Sequence, residues 1–398
     1  MKTKVSLLAL VSVLALNACT KDQNVDPQNA ATLAPQDVPV LVTQAVSTVY
    51  PKATAVDYSA LQTNSLYVAN VTTTTTEAQV VVSNKGLIKE EAVKIAKTDL
   101  LTDMVGEFPE LQGIMGRYYA VHDGENPEVA AACSEHYMPR FAGDALPQTT
   151  TGTILAIADK LETLVGIWGV GLAPTGDKDP YALRRHALGI CRLLLEKNLS
   201  LSLPALIELA RSQFPQPEVQ EKAQVADVYA FIIDRLRAYL RDQAVAGKPF
   251  TSAEIDAVLS QSPAQINDLI ERLAALREFN ALAQASQLAA ANKRISNILK
   301  KTTTTIPEKC AQDLLQIPAE AALFKVLETV TPTLNSAYEK RQFVELLKAL
   351  VALSSPIDQF FEDVMVMDPN TQLRDNRLAL LQQLHQKMNL VADLGKLA

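Results

Sequence analysis

Residues 171–198 read GLAPTGDKDPYALRRHALGICRLLLEKN. Gly171 and Gly176 have the spacing that opens a phosphate-binding loop. The Lys-Ser/Thr pair that such a loop requires is absent, and Asp177 stands where the lysine should be and would repel a phosphate. The same residues read better as the start of a helix. Asp179 has the side chain of a cap, and Pro180 suits the first helical position because its φ is already fixed. Leu183, Ala187, Ile190 and Leu194 then recur at helical spacing as a buried stripe. Arg184 and Arg185 leave that stripe on neighbouring faces, where they are either solvated, salt-bridged or in contact with a nucleic acid.

Composition agrees with helices. The chain has 398 residues, room for two or three domains and an ample core. It is 48% hydrophobic but only 5% aromatic, and Ala and Leu dominate, both strong helix formers. Fourteen glycines are few for a large turn-rich sheet. The net charge of -7 means that any nucleic-acid contact must come from a local basic face. Cys19, Cys133, Cys191 and Cys310 form no CxxC pair, so neither a zinc knuckle nor a disulfide scaffold is indicated.

The first ninety residues have a different character. Lys2 and Lys4 precede an apolar run from Val5 to Leu16, and Leu16-Asn17-Ala18-Cys19 resembles a bacterial lipobox. Residues 1–19 are therefore expected to act as a lipoprotein signal, with Cys19 lipidated and residues 20–38 a polar tether. Residues 39–58 read as a helix ending before Pro51 and then an extended piece. SLYVANVTTTTTEAQVVVSNKG, rich in Thr and Val, predicts two antiparallel strands with a turn at Asn84-Lys85-Gly86. Residues 39–88 resemble the small PepSY-like modules of lipoproteins, an α+β unit expected to be loosely attached.

From about Glu90 the pattern is helical with hardly a break; Val93, Ala96, Leu100, Met104 and Phe108 fall near helical spacing. Several stretches resemble, in order, the β subunit of bacterial heterotetrameric glycyl-tRNA synthetase. They are TDLLTDMVGEFPELQGIMGRYYAVHDGE, HYMPRFAGDALP, IADKLETLVGIWGVGLAPTGDKDPYALRRHALGICRLLLEKNL, LAAANKRISNILKK and IDQFFEDVMVMDPNTQLRDNRLALLQQL. The resemblance covers residues 92–398 and only the C-terminal part of such a subunit. It implies a mainly α fold: a truncated HD-like helical domain over 90–215 and a DALR-type helical anticodon-binding bundle over 216–398. It implies that the chain grips glycine tRNA in the cytoplasm. A separate α subunit would activate glycine with ATP and Mg, this chain binding no cofactor and no metal. A truncated HD-like half is also expected to leave an apolar surface uncovered.

One candidate RNA contact stands out from the residues alone. Between Ala281 and Lys301 there are four basic residues and no acidic one. Lys293, Asn297, Lys300 and Lys301 share a helical face with Arg294 beside them, while Ile295, Ile298 and Leu299 turn toward the core. Such a face reaches phosphates, and Asn and Arg reach unstacked base edges. Arg374 and Arg377 form a second candidate on a helix whose core side is Leu373, Leu380, Leu381 and Leu384; salt bridges to Asp375 or Glu362 are the competing reading. His122-Asp123 is a literal HD dipeptide, and His136 and Asp159 are its only conceivable co-ligands, but the dipeptide sits in the loop-like VHDGENP.

An exported head and a tRNA-binding body belong to different compartments. That conflict points to a chimera joined near residues 88–92 as the origin of the chain; the competing reading is an exported lipoprotein with a helical binding module, membrane-bound only through Cys19.

Overall fold

The computed structural model describes residues 54–62, 66–72, 77–83 and 86–398 except Asp177 and Ala246, with isolated positions before 54. The signal, tether, Cys19 and the Asn84-Lys85 turn lie outside the described residues. The chain divides into two compact units. One runs to Arg235 and takes in 264–267; the other comprises 236–263 and 268–398. This division falls inside the helix Val225–Arg241.

The first unit begins with an antiparallel meander of four strands, not two: β1 (Ala55–Gln62), β2 (Leu66–Thr72), β3 (Glu77–Ser83) and β4 (Gly86–Leu87). Tyr58 faces Ala69, and Ala69 faces Val80 in turn. β4 passes directly into helix α1 (Ile88–Ile95). That helix packs both on β3 and β4 and on two later helices, with Ala92 and Val93 buried.

The helices that follow are built round α5 (Thr150–Gly169), in which Ile154, Leu155, Ile157, Leu161 and Leu164 are all buried. Around it lie α4 (Pro127–Glu135), α6 (Leu183–Glu196), α7 (Leu203–Ser212) and α8 (Pro217–Lys222). Two buried carboxylates place the chain here. Asp99 accepts the backbone N–H groups of Gly113 at 2.7 Å and Gly116 at 3.2 Å, which fixes the start of α3 (Ile114–His122). Glu135 accepts those of Gln148 at 3.0 Å and Thr149 at 3.1 Å at the start of α5. Each satisfies donors that the first turn of a helix leaves without partners.

Leu100, Leu101, Met104, Phe108, Tyr118 and Val121 are exposed, so an uncovered apolar surface is present between residues 100 and 121.

The second unit is a helical bundle: α9 (Ser252–Leu259), α10 (Leu269–Asn280), α11 (Ala285–Lys301), α12 (Pro318–Glu339), α13 (Phe343–Ala349), α14 (Ser354–Asp363) and α15 (Thr371–Met388), closed by a 3-10 turn at Leu394–Leu397. Phe360, Leu323, Ile357, Leu380, Leu381 and Leu384 fill its core. After residue 100 the sole ladder among the described residues is a two-residue hairpin at Ala244–Val245 and Lys248–Pro249. The fold is mainly α, as the sequence predicts. No helix among the described residues is long and apolar enough to cross a membrane.

Candidate nucleic-acid interface

Helix α11 carries the basic face, and the residues behind it determine which way it points. Asn292 is fully buried. Its Nδ2 donates to Asn389 Oδ1 at 2.9 Å, and Asn389 Nδ2 returns a bond to Asn292 Oδ1 at 3.0 Å. Asn389 Oδ1 also accepts from Leu394 N at 3.2 Å, and Asp393 Oδ1 accepts from Gly395 N at 3.0 Å. The closing turn thereby lies against α11. A Cβ on Gly395 would sit 3.2 Å from Lys293 Cα, a tight contact that glycine avoids.

With Asn292 and Ile295 turned inward, Lys293, Arg294, Asn297, Lys300 and Lys301 all come out exposed. Lys293, Arg294, Asn297 and Lys301 line one groove of about 490 Å3, with Ala290, Ile298 and Ala398 as its apolar part. Lys300 is exposed outside it. Ile298 thus lines the groove and does not enter the core as expected, and Leu299 is half-buried. Lys293 Nζ donates to the Ala398 carbonyl at 3.0 Å. The Arg294 guanidinium carbon lies 4.0 Å from the centroid of the Phe361 ring, a cation–π contact. Phe361 carries no sequence signal for this role; it comes from α14, far along the chain. Burial holds the His385 imidazole below its ordinary pKa, Asp393 opposing and Lys300 adding to the depression.

The second candidate separates into two different residues. Arg377 is buried, and its Nε donates to the buried Glu320. Its Nη1 donates to Asp368 Oδ2 at 2.7 Å and to the Met365 carbonyl at 3.0 Å. Paired in this way and only 3% exposed, Arg377 presents no surface to an RNA, which corrects its assignment to the interface. It is a strut between α12 and α15. Arg374 is half-buried and donates to Asp375 Oδ1 at 3.1 Å, the salt bridge that was the competing reading. The core side of α15 is as predicted, with Leu373, Leu380, Leu381 and Leu384 buried.

Arg184 and Arg185 belong to the first unit. The helix there begins at Leu183, after Ala182 in the left-handed region at φ 56°. Pro180 is therefore not its first residue, yet Asp179 still caps it from outside: Oδ1 accepts Leu183 N at 2.8 Å and Oδ2 accepts Arg184 N at 2.9 Å. Leu183, Ala187, Ile190 and Leu194 are buried as the stripe requires. Arg184 Nη2 donates to the Gly176 carbonyl, which ties its side chain to the preceding loop. Arg185 is exposed.

His122 and Asp123 sit side by side at the exposed end of α3. His136 and Asp159 are buried elsewhere, and Asp159 pairs with Lys97. The four residues do not converge.

The family model described as glycyl-tRNA synthetase beta subunit matches residues 48–260, and the one described as DALR anticodon binding domain matches residues 288–394. The first match takes in the strands; the second takes in α11 from its fourth residue onward. Among relatives, the glycine–tRNA ligase beta subunit of Ralstonia nicotianae is 56% identical over 307 residues, which are 77% of this chain and 43% of that protein. The proteins of the same name from Leptothrix cholodnii and Dechloromonas aromatica are 53% and 51% identical over 78% of this chain and 42% and 43% of their own lengths. The chain thus spans less than half the length of the relatives it matches. With a family match running from the strands to residue 260 and a second over the basic helix, the chain belongs to the family of glycyl-tRNA synthetase beta subunits.

Proposed function

We propose that this chain is the tRNA-holding part of a glycine–tRNA ligase β subunit, working in the cytoplasm beside a catalytic α subunit. One observation carries the reading: an acid-free helix in an acidic protein exposes Lys293, Arg294, Asn297, Lys300 and Lys301 within the stretch that matches an anticodon-binding domain. Cations at this spacing meet successive phosphates, and the groove beside them has an apolar floor on which an unstacked base can lie. Asn297 at its edge offers both a donor and an acceptor to such a base. Phosphate contacts position the RNA; the Asn297 and Arg294 edges supply what sequence preference there is.

The division of labour follows from the family. The α subunit uses ATP and Mg to make the glycyl adenylate, and this chain alone gives only background pyrophosphate exchange with glycine and ATP. A clear signal from the isolated chain overturns that division.

The binding test is a filter-binding titration of glycine tRNA across salt. Lys300→Glu with Lys301→Glu replaces attraction by repulsion and weakens binding at least tenfold. Each phosphate that is no longer neutralised flattens the log–log salt slope by roughly 0.7 to 0.9. Lys340, exposed beyond the end of α12, is the control, and Lys340→Glu leaves binding unchanged. If the double variant binds as the parent does, the face is merely solvated. If altered anticodon bases leave the affinity unchanged, the contact is electrostatic and not anticodon recognition.

A further inference from the structure

The first unit holds a cleft of about 430 Å3 at which Lys160, Arg140, Arg185, His186, Tyr137 and Glu110 meet. Its volume lies within the roughly 300–1,000 Å3 of small-ligand sites. Lys160 is the residue that demands explanation. It belongs to α5, the most buried helix of the unit, and is itself 3% exposed. Its stem passes Gly189 on the way to the cleft; a Cβ there would stand 2.8 Å from Lys160 Cε. At the end of that stem Nζ donates to the carbonyls of His136 at 3.3 Å and Tyr137 at 3.2 Å. An ammonium has three donors, so one is left for the cleft. The neighbouring carboxylate, Asp159, is already paired with Lys97.

The other groups add to this. His186 Nδ1 is buried with no hydrogen-bond partner among the described residues. The exposed Arg140 and Arg185 side chains form no ion pair among the described residues. Glu110 is the one carboxylate that lines the cleft. A buried ammonium without a carboxylate of its own is costly, and an anion entering the cleft offsets that cost. Burial pushes the Lys160 pKa down to about 8, with Lys97 adding and Asp159 and Asp144 opposing.

We propose that this cleft binds a phosphate group, with Lys160 and Arg185 as principal donors and Arg140 and His186 completing the ring. Arginine's planar fork suits two phosphate oxygens at once, and lysine supplies the point charge. The phosphate belongs either to a free nucleotide or to an RNA strand; the two sources share this chemistry. In the second case the cleft rests on the tRNA-binding reading and extends it to the first unit.

The test uses the full chain and two probes, adenosine monophosphate and a single-stranded RNA 12-mer without a terminal phosphate. The variant is Arg140→Glu with Arg185→Glu, both surface positions, and its thermal melt reports whether it is folded. Isothermal titration with the mononucleotide is compared between parent and variant. The RNA titration is run with Lys293→Glu, Arg294→Glu, Lys300→Glu and Lys301→Glu already present, so that the α11 face repels the strand in parent and variant alike. Loss of at least tenfold in affinity for the mononucleotide supports the proposal and assigns a free nucleotide. The same loss confined to the RNA supports it and assigns a strand. Lys160→Met gives the same loss, with its fold checked the same way. If neither probe binds the parent, or the variant binds both as the parent does, the cleft is no phosphate site. The mononucleotide arm is independent of α11, so a failure of the anticodon reading does not decide it.

Discussion

Arg377→Met separates the basic residues that build this protein from those that face outward. Arg377 is 3% exposed and Glu320 1% exposed. Removing one member of such a buried pair costs about 3–5 kcal/mol, because the other is left as an uncompensated charge. Two features place the value at the lower end. Glu320 keeps two donors, the backbone N–H groups of Gln316 at 2.7 Å and Ile317 at 2.9 Å. Asp368, on the other flank of the guanidinium, is near the surface, so water already screens that side. The expected loss is about 3 kcal/mol. The second unit belongs to a size class in which each kcal/mol moves the midpoint by about 2–4 °C, so the transition drops by roughly 6–12 °C. Circular dichroism melts of the full chain at pH 7 measure it, and a tRNA titration at about 20 °C completes the experiment. The variant melts early yet binds with the parent's affinity. The double change with Glu320→Gln recovers part of the loss, since no bare charge remains. A midpoint within about 2 °C of the parent refutes the strut. A tenfold loss of tRNA affinity without a change in melting shows instead that Arg377 is a ligand to RNA.

Three further outcomes follow from buried groups. Burial pushes the His136 and His186 imidazoles down to about 4, against 6.5 in the unfolded chain. The unfolded state therefore binds more protons between pH 6.5 and 4, stability falls as pH falls through that window, and urea midpoints drop across it, less steeply for His136→Gln. Gly169→Ala places a Cβ 2.3 Å from Val219 Cγ1 and 2.8 Å from Val219 Cα, so it forces α5 from α8 at a cost of about 1–3 kcal/mol in urea unfolding; Gly106→Ala, with nothing within 4 Å, does not. Asn292→Ala strips Asn389 of a reciprocal partner, costs about 1–3 kcal/mol, and raises hydrogen exchange at Leu394 and Gly395; unchanged exchange there would mean that the closing turn holds itself.

What the sequence disclosed depended on whether the information was local. The stripe Leu183, Ala187, Ile190, Leu194 and the outward set on α11 needed only the helical period, and both are present. The cap by Asp179 was legible, but the register was not. Ala182 takes a left-handed conformation that no propensity favours, which lets Asp179 cap from four residues away. Arg374 and Arg377 look alike on a helical wheel. They part company because Glu320, far earlier in the chain, lies opposite one of them, and helical spacing holds no trace of that pairing. The partner ring of Arg294 was hidden for the same reason, and so was the approach of Lys160 to its cleft past Gly189. Of the two strands not counted, β4 has too few residues in Gly86–Leu87 to show alternation, and β1 (Ala55–Gln62) was legible only as an extended piece.

The reciprocal amide pair of Asn292 and Asn389 has a thermodynamic consequence for any ligand of α11. A recognition helix that folds as its ligand arrives loses its backbone freedom at that moment, and affinity suffers accordingly. Here the reverse of the helix is already bolted to the closing turn, so its backbone entropy was spent when the bundle formed. On meeting a strand, the outward residues surrender only their own rotamers, about 0.5–1.5 kcal/mol for each side chain immobilised. Arg294, already in contact with the Phe361 ring, surrenders less than the lysines do. A ligand of this face would be met by rigid-body encounter, with no ordering step, and its association rate would carry a dependence on salt.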